Sequence, residues 1–389
     1  MAFVRKAVRR TAFALGGWAA MKAATSVVIS TRLVALAVST LLPSSALGAQ
    51  ARGDACAATS TSMTPAAWAS PDARAKTPSV GSTPLALVAD VPLPGPAKRF
   101  DYQSFDSTTG RLYISHMRGD RLVVFDTRAQ KLIASNEGFP GATGVWAVPE
   151  LHRVYVAVTG RHEVAVVDDR TLAVVARVSG ARFPDGIAYA PAEQKVFVSD
   201  ESGEADLVIN ARSNTAIGRI ALDGEAGNTH YDAVSHCIVV AVQTKNELVA
   251  IDPASERIVA RYRMACDHPH GFLIDEPNRL AFVTCEGDAK LLVVDLRTMR
   301  TTATLRTAGD PDVLALDPGI MRLYVGCEAG AVSIFEERFV DGAMRLAVLG
   351  EYRAPHAHSV SVDPATHRVY VPLQDVNGKP TLRILEARP

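Results

Sequence analysis

The chain has 389 residues, with 41 basic and 41 acidic side chains and therefore no formal net charge at pH 7. This balance gives no electrostatic reason to expect nucleic acid or an anionic membrane as a partner. Aromatic residues make up 6% of the chain, and the apolar residues come in short runs of Val, Ile and Ala. The composition favours a soluble, strand-rich protein with room for a large core.

The first 51 residues have the features of a targeting segment. From Met21, a basic stretch, MKAATSVVISTR, precedes a short apolar stretch, LVALAVSTLL, and a small-residue region, PSSALGAQA. This order is typical of a cleaved export signal, so we predict Met21 as the start and a periplasmic or secreted product without a membrane anchor. The alternative, an uncleaved anchor, is disfavoured because Arg32 would interrupt the span.

Residues 52–84 are rich in Ala, Ser, Thr and Pro and contain few large apolar side chains. Such a segment cannot bury enough surface to offset the entropy of ordering, so we predict a disordered linker. One of the five cysteines, Cys56, lies in it. Because five is an odd number for an exported protein, Cys56 is expected to be free or bonded to another molecule.

A repeat of about 42 residues begins after the linker. Its strand-turn-strand units include RLVVFDTRAQKLIAS, EVAVVDDRTLAVVAR and ELVAIDPASERIVAR. In five consecutive units the apolar run ends at a residue suited to a tight turn, namely Asp126, Asp168, Asn210, Asp252 and Asp295. A side-chain oxygen at this position caps nearby backbone N–H groups, so we interpret these residues as structural.

A second hairpin precedes each unit, which gives four strands per repeat and seven repeats. This count predicts an all-β fold, a seven-bladed β-propeller spanning residues 85–389. The last repeat, which ends at TLRILEARP, lacks one strand, and PLALVADVPLPG before the first repeat can supply it. We therefore expect an N-terminal strand to complete the last blade and close the ring, leaving a monomer without an open edge.

The repeats IAYAPAEQKVFVSD, VSVDPATHRVYVPL and VLALDPGIMRLYVG resemble those of the YVTN-type, or YncE-like, family of exported bacterial propellers. The resemblance extends from about Leu85 to Pro389. It implies the fold and export, and it implies no particular chemistry because a fold hosts many functions.

Equivalent positions of the seven repeats should form rings around one mouth of the central channel. The residues that begin the first strands predict one ring: Asp101, Thr143, Asp185, His230, His270, Asp312 and His358. The residues that end the second strands predict another: Met117, Thr159, Glu201, Gln243, Glu286, Glu328 and Gln374. Both rings are rich in acidic and imidazole side chains.

Imidazoles and carboxylates around an axis suit a divalent cation such as zinc, manganese, magnesium or copper. The predicted ligands are His230, His270, His358, Glu286, Glu201 and Glu328. Of these, His270 and Glu286 are the candidate catalytic pair for proton transfer. The alternative is that each ring residue only caps the backbone at the entrance of its own blade.

The motif CDHPHG places His268 two residues before His270, and side chains two apart on an extended chain point the same way. His356 and His358 repeat this spacing two blades later. We therefore add His268 and His356 to the channel-mouth ring. Their alternative interpretation is exposed loop residues.

The segment HGFLIDEPNRLAFVTCEG is similar to one blade of virginiamycin-type streptogramin lyases, in which an HG entry and a Glu at the end of the next strand surround a metal. The resemblance implies a metal-dependent lyase or, by analogy with gluconolactonase-like propellers, a lactone hydrolase. Cys285 and Cys327, which precede Glu286 and Glu328, could form a disulfide, bind a soft metal or pack. Cys237 and Cys266 are expected to be structural.

Two functions remain open on the sequence. One is the binding of a divalent metal and a small ligand or substrate at the channel mouth. The other is a non-catalytic scaffold that holds a small ligand or a partner protein on the same face.

Overall fold

The computed structural model describes Cys56, residues 84–340 and residues 343–388. The predicted targeting segment and almost all of the predicted linker lie outside these residues. No helix within the described part of the chain is long and apolar enough to cross a membrane.

The described chain forms seven four-stranded antiparallel sheets. Blades one to four contain β2 Gln103–Asp106, β3 Arg111–His116, β4 Arg121–Asp126, β5 Lys131–Glu137; β6 Ala142–Val148, β7 Arg153–Val158, β8 Glu163–Asp168, β9 Val174–Ser179; β10 Pro184–Ala190, β11 Lys195–Asp200, β12 Ala205–Asn210, β13 Thr215–Ala221; β14 Ala226–Asp232, β15 Cys237–Val242, β16 Glu247–Asp252 and β17 Arg257–Arg263.

Blades five to seven contain β18 Pro269–Asp275, β19 Leu280–Cys285, β20 Lys290–Asp295, β21 Arg300–Arg306; β22 Pro311–Asp317, β23 Arg322–Cys327, β24 Ala331–Val340, β25 Ala343–Arg353; β26 Ser361–Asp363, β27 Arg368–Val376, β28 Lys379–Ala387 and β1 Leu85–Pro92. The strand order of the last blade is β1-β28-β27-β26, so the N-terminal strand is its outermost member. The predicted seven-bladed propeller and its closure are both confirmed.

The middle strands are buried on both faces because each blade packs between two neighbours. In β7 and β11 every residue after the first is buried. Val164 of blade two and Val198 of blade three belong to one core cluster, so the core lies between blades. Because both faces of a middle strand are buried, its sequence is a short continuous run of Val, Ile and Leu and does not alternate between apolar and polar residues.

The turns between third and fourth strands confirm the structural interpretation of the repeated acidic residues. Asp126 Oδ1 accepts hydrogen bonds from the backbone N–H groups of Arg128 and Ala129, at 2.9 and 2.8 Å. Asp168 and Asn210 make the same contacts two and three residues on. These oxygens satisfy N–H groups that the turn leaves unpaired.

The first strand of each blade lines the channel, and most second strands end at one mouth in a single 3-10 turn. These turns are Met117–Gly119, Thr159–Arg161, Glu201–Gly203, Gln243–Lys245 and Glu286–Asp288. A further turn, Pro149–Leu151, joins β6 to β7. The mouth is thus built from the first residues of inner strands and the first residues of these turns.

Two disulfides correct the expectations about cysteine. Cys56 is bonded to Cys237, with 5.7 Å between the Cα atoms, so it is neither free nor intermolecular. Cys285 is bonded to Cys266, so the Cys285–Cys327 pairing considered above is wrong. Cys327 is free and fully buried, as packing predicts. Pairing depends on three-dimensional distance, which the repeat alone does not give.

Candidate functional site

A cavity of about 290 Å³ occupies the mouth of the channel. The structure brings together most members of the two predicted rings there: Asp101, Thr143, Asp185, His270, Asp312 and His358 from the first, and Met117, Glu201, Gln243, Glu286 and Glu328 from the second. Thr159 and Gln374 do not line this cavity.

His230 is not part of the ring, and the alignment that placed it there is wrong. Pro269 pairs with Cys285 in blade five, and Ala226 pairs with Val242 at the equivalent place in blade four. The counterpart of His270 is therefore Gly227, three residues before His230. A Cβ atom at Gly227 would lie 2.9 Å from Cδ2 of His270, so the glycine leaves room for that imidazole.

Asp312 lies between the two histidines of the mouth. Its Oδ1 is 2.9 Å from Nδ1 of His270, and its Oδ2 is 3.0 Å from Nε2 of His358. The side chain is almost fully buried. Burial by itself raises the pKa of Asp312, but the two neighbouring imidazoles outweigh it and lower the pKa to about 2. Asp312 is therefore ionised and joins the two histidines.

Each histidine also meets a glutamate from the second ring. Nδ1 of His270 lies 3.3 Å from Oε1 of Glu286, and Nδ1 of His358 lies 2.6 Å from Oε1 of Glu328. These contacts form two groups of three ligand atoms, and within each group the atoms lie within 4.8 Å of one another. The first group is His270, Glu286 and Asp312, and the second is Asp312, Glu328 and His358. The two groups share Asp312.

The imidazoles have further acidic neighbours. Nε2 of His358 is 2.9 Å from Asp101, and Nε2 of His270 is 3.7 Å from Asp185. Burial alone lowers the pKa of each histidine, but the surrounding carboxylates raise both pKa values well above the ordinary range. The carboxylates therefore favour the protonated form of both imidazoles.

The mouth contains more acid than base. Six carboxyl groups, those of Asp101, Asp185, Glu201, Glu286, Asp312 and Glu328, line it with Arg99, His270 and His358. Burial, and then the charge of Asp101, raise the pKa of Asp185 to about 8. Burial also raises the pKa of Glu286 and that of Glu201. These raised values indicate a site that favours an added positive charge.

Three residues of the mouth, Arg99, Tyr102 and Phe183, were missed by the ring analysis. Arg99 contacts Oε1 of Glu328 at 2.8 Å and Nδ1 of His358 at 3.1 Å. Tyr102 donates a hydrogen bond from its hydroxyl to Oδ2 of Asp185 at 3.1 Å. Arg99 lies two residues before Asp101, as His268 and His356 lie two before His270 and His358, but it is the one of the three that reaches the cavity. The residue equivalent to Tyr102 is glycine in blades two, three and five, so the repeats do not predict a ring there.

The outer histidines do not join the cavity. His268 and His356 are exposed, with left-handed backbone φ values of 51° and 57°. His268 instead contacts Asp267, at 3.2 Å. The alternative interpretation of both as loop residues fits their positions. Glu201 does line the mouth but belongs to neither three-residue group.

Fold and site together define a seven-bladed propeller with an acidic channel mouth. The chain is YncE-like: it is 23% identical over 202 residues to the uncharacterized YncE proteins of Salmonella typhimurium and Salmonella typhi. The match covers 50% of this chain and 56% of each relative, so it spans about half of their length. No family model matches the chain. The resemblance to streptogramin lyases stays a prediction.

Solved structures of very different sequence share the fold. A chain of Kuenenia stuttgartiensis hydrazine synthase superposes with a TM-score of 0.63 at 17% identity, covering 80% of this chain and 99% of that one. The WD40 repeats of RRP9 give 0.66 at 10% identity, covering 78% and 100%. At these identities the likeness concerns the propeller alone.

Proposed function

We propose that this protein binds a divalent metal ion at the channel mouth and presents it to a small ligand. The proposal is carried by the two groups of three ligand atoms that share Asp312. Nδ1 of His270 faces carboxylate oxygens of both Glu286 and Asp312. Because a single N–H group donates well to only one acceptor, it cannot satisfy both oxygens. A cation among the three atoms would satisfy all of them, and the neutral form of the imidazole would be its ligand.

The donor set fits zinc, manganese, magnesium or copper, since it combines imidazole nitrogen with carboxylate oxygen. His270, Glu286 and Asp312 would hold one ion, and Asp312, Glu328 and His358 form an adjacent set. Arg99, beside Glu328 and His358, would attract an anionic group of the ligand.

If the site is catalytic, we propose a lyase or a lactone-opening reaction. A bound divalent ion would supply polarisation of a carbonyl oxygen. The side chain of Glu286 is 37% exposed, so a carboxylate oxygen can reach the ligand and move a proton there. His270 would share the ion with Glu286 and so hold it beside the ligand.

Metal analysis of protein purified without a histidine tag tests the binding. We expect uptake of at least one ion per chain when zinc, manganese, magnesium and copper are added separately. Asp312→Asn should weaken binding by more than about 100-fold, because even residues around metal ligands cost 10- to 100-fold when changed. His268 lies two residues before His270 but outside both groups, so His268→Gln should bind the metal as the unmodified protein does.

A protein that takes up none of these ions would contradict the metal site. It would favour the alternative function, a non-catalytic scaffold that binds a ligand or partner protein on the same face. The acidic mouth would then select a basic group of that partner.

We also propose that the protein functions in the periplasm or outside the cell. The leader-like sequence of residues 1–51 and the bonds Cys56–Cys237 and Cys266–Cys285 support this, because disulfides persist in oxidising compartments. Fractionation of bacteria that express the full chain should place it outside the cytoplasm. Recovery in the cytoplasm with reduced cysteines would contradict the proposal.

A further inference from the structure

A second chamber of about 440 Å³ occupies the channel beyond the charged mouth. Aromatic side chains from the inner strands line it: Tyr102, Trp146, Tyr189, Tyr231 and Phe272. Tyr102 lines both chambers, with its hydroxyl bonded to Asp185 on the side of the mouth. The volume falls within the range of small-molecule sites, about 300–1,000 Å³.

His230, the residue that the ring analysis misplaced, lies in the wall of this chamber. Its ring meets Trp146 edge-on, with 6.0 Å between centroids and 84° between planes. It also meets Phe272, at 4.6 Å and 68°. The three rings come from blades two, four and five, so the propeller itself assembles this aromatic group.

The imidazole of His230 is neutral at physiological pH. Burial lowers its pKa to about 4, and the backbone of Phe272 only partly opposes this shift. A neutral imidazole has one N–H donor and one unprotonated nitrogen, so His230 offers one hydrogen-bond acceptor. Glu276 is the one residue with a formal charge among the described lining of the chamber. The chamber therefore offers aromatic surface and an acceptor, with no basic group to hold an anion.

We propose that the second chamber binds an uncharged aromatic molecule of one or two rings that carries a hydrogen-bond donor, of the phenol or indole class. The aromatic side chains provide apolar and edge-to-face contacts for such a ring. The unprotonated nitrogen of His230 accepts a hydrogen bond from the O–H or N–H group of the ligand. The site is separate from the metal groups at the mouth.

Calorimetry with p-cresol, and with 4-methylanisole as the matched ligand without a donor, tests the proposal. We expect p-cresol to bind more tightly, by about three- to tenfold for one hydrogen bond. His230→Phe retains a ring but removes the acceptor, so it should abolish that preference. Leu273 is part of the chamber wall, and Leu273→Trp should fill the chamber and abolish binding of both ligands. Equal binding of the two ligands by the unmodified protein, or binding of p-cresol unchanged in Leu273→Trp, would overturn it.

Tryptophan fluorescence gives an independent reading. The sequence has three tryptophans, and Trp18→Phe with Trp68→Phe leaves Trp146 alone. Addition of p-cresol should change the emission of this variant, and an unchanged emission at saturating p-cresol would contradict the assigned place. Metal uptake by His230→Phe should equal that of the unmodified protein. This proposal and the metal proposal can therefore fail separately.

Discussion

Asp312 and Asp185 occupy the same ring position in different blades but have opposite surroundings. Asp312 lies between two imidazoles, which lower its pKa to about 2 despite burial. Asp185 is buried near Asp101 and Glu201, which leaves its pKa at about 8 although His270 lowers it. The folded protein therefore stabilises the charge of Asp312 and opposes that of Asp185.

This contrast predicts opposite effects of two matched substitutions in the metal-free protein. Asp312→Asn should reduce the free energy of unfolding, by about 3 kcal/mol, because it leaves buried histidines without their shared partner. Asp185→Asn should change it little at pH 5. Above pH 5 the unmodified protein should lose stability as the pH rises towards about 8, since folded Asp185 retains a proton that unfolded Asp185 releases near pH 4. Asp185→Asn removes that loss.

Urea unfolding in a chelator at pH 5 and pH 8.5 measures both effects. Asp185→Asn should be more stable than the unmodified protein at pH 8.5. A variant that follows the unmodified protein at both pH values would contradict the raised pKa of Asp185.

The ring position could be predicted from sequence because seven copies of one hairpin place equivalent residues at equivalent heights. That argument located His270, Asp312 and His358. It failed for His230, because Asp232 in blade four is equivalent to Asp275 in blade five. Gly227, not His230, is therefore the residue equivalent to His270. The ring alignment also missed Arg99, which lies two residues before Asp101 and reaches the cavity where His268 and His356, at the same place in other blades, do not.

At the scale of the element, the Cys266–Cys285 bond joins the loop before β18 to the end of β19. Cys285 directly precedes Glu286, and Cys266 is four residues before His270. Their Cα atoms are 6.1 Å apart. The disulfide therefore fixes two of the three chain segments that carry ligand atoms of the first three-residue group, those of His270 and Glu286.

Removal of this disulfide should affect stability and metal binding together. We expect Cys266→Ala with Cys285→Ala to lose about 2–4 kcal/mol of unfolding free energy. Metal affinity should fall by about tenfold or more, because the two supports of His270 and Glu286 become independent. Cys56→Ala with Cys237→Ala is the matched control, since that bond lies away from the mouth. Its stability should fall while its metal affinity, measured by calorimetry, stays the same; equal affinity losses in both pairs would contradict the positioning role.

At the scale of the whole molecule, both channel sites depend on closure of the ring. Strand β1 pairs with β28 from Leu85–Ala387 to Pro92–Thr381. Asp90 and Arg383 add a two-bond ion pair across it, at 2.8 and 2.7 Å. Without β1, β28 would become an open edge, and the last blade would lose the strand that packs Leu85 into the core.

Two leucines of β1 allow a graded test of closure. Leu85 is 1% exposed and Leu87 is 55% exposed. Leu85→Ala should cost about 2–5 kcal/mol because it removes buried methyl groups, whereas Leu87→Ala should cost less than about 0.5 kcal/mol. Deletion of residues 85–91 should lower the melting temperature further than Leu85→Ala does. Thermal unfolding of the three variants measures this order, and a deletion variant that melts with the unmodified protein would show that the propeller does not need its N-terminal strand.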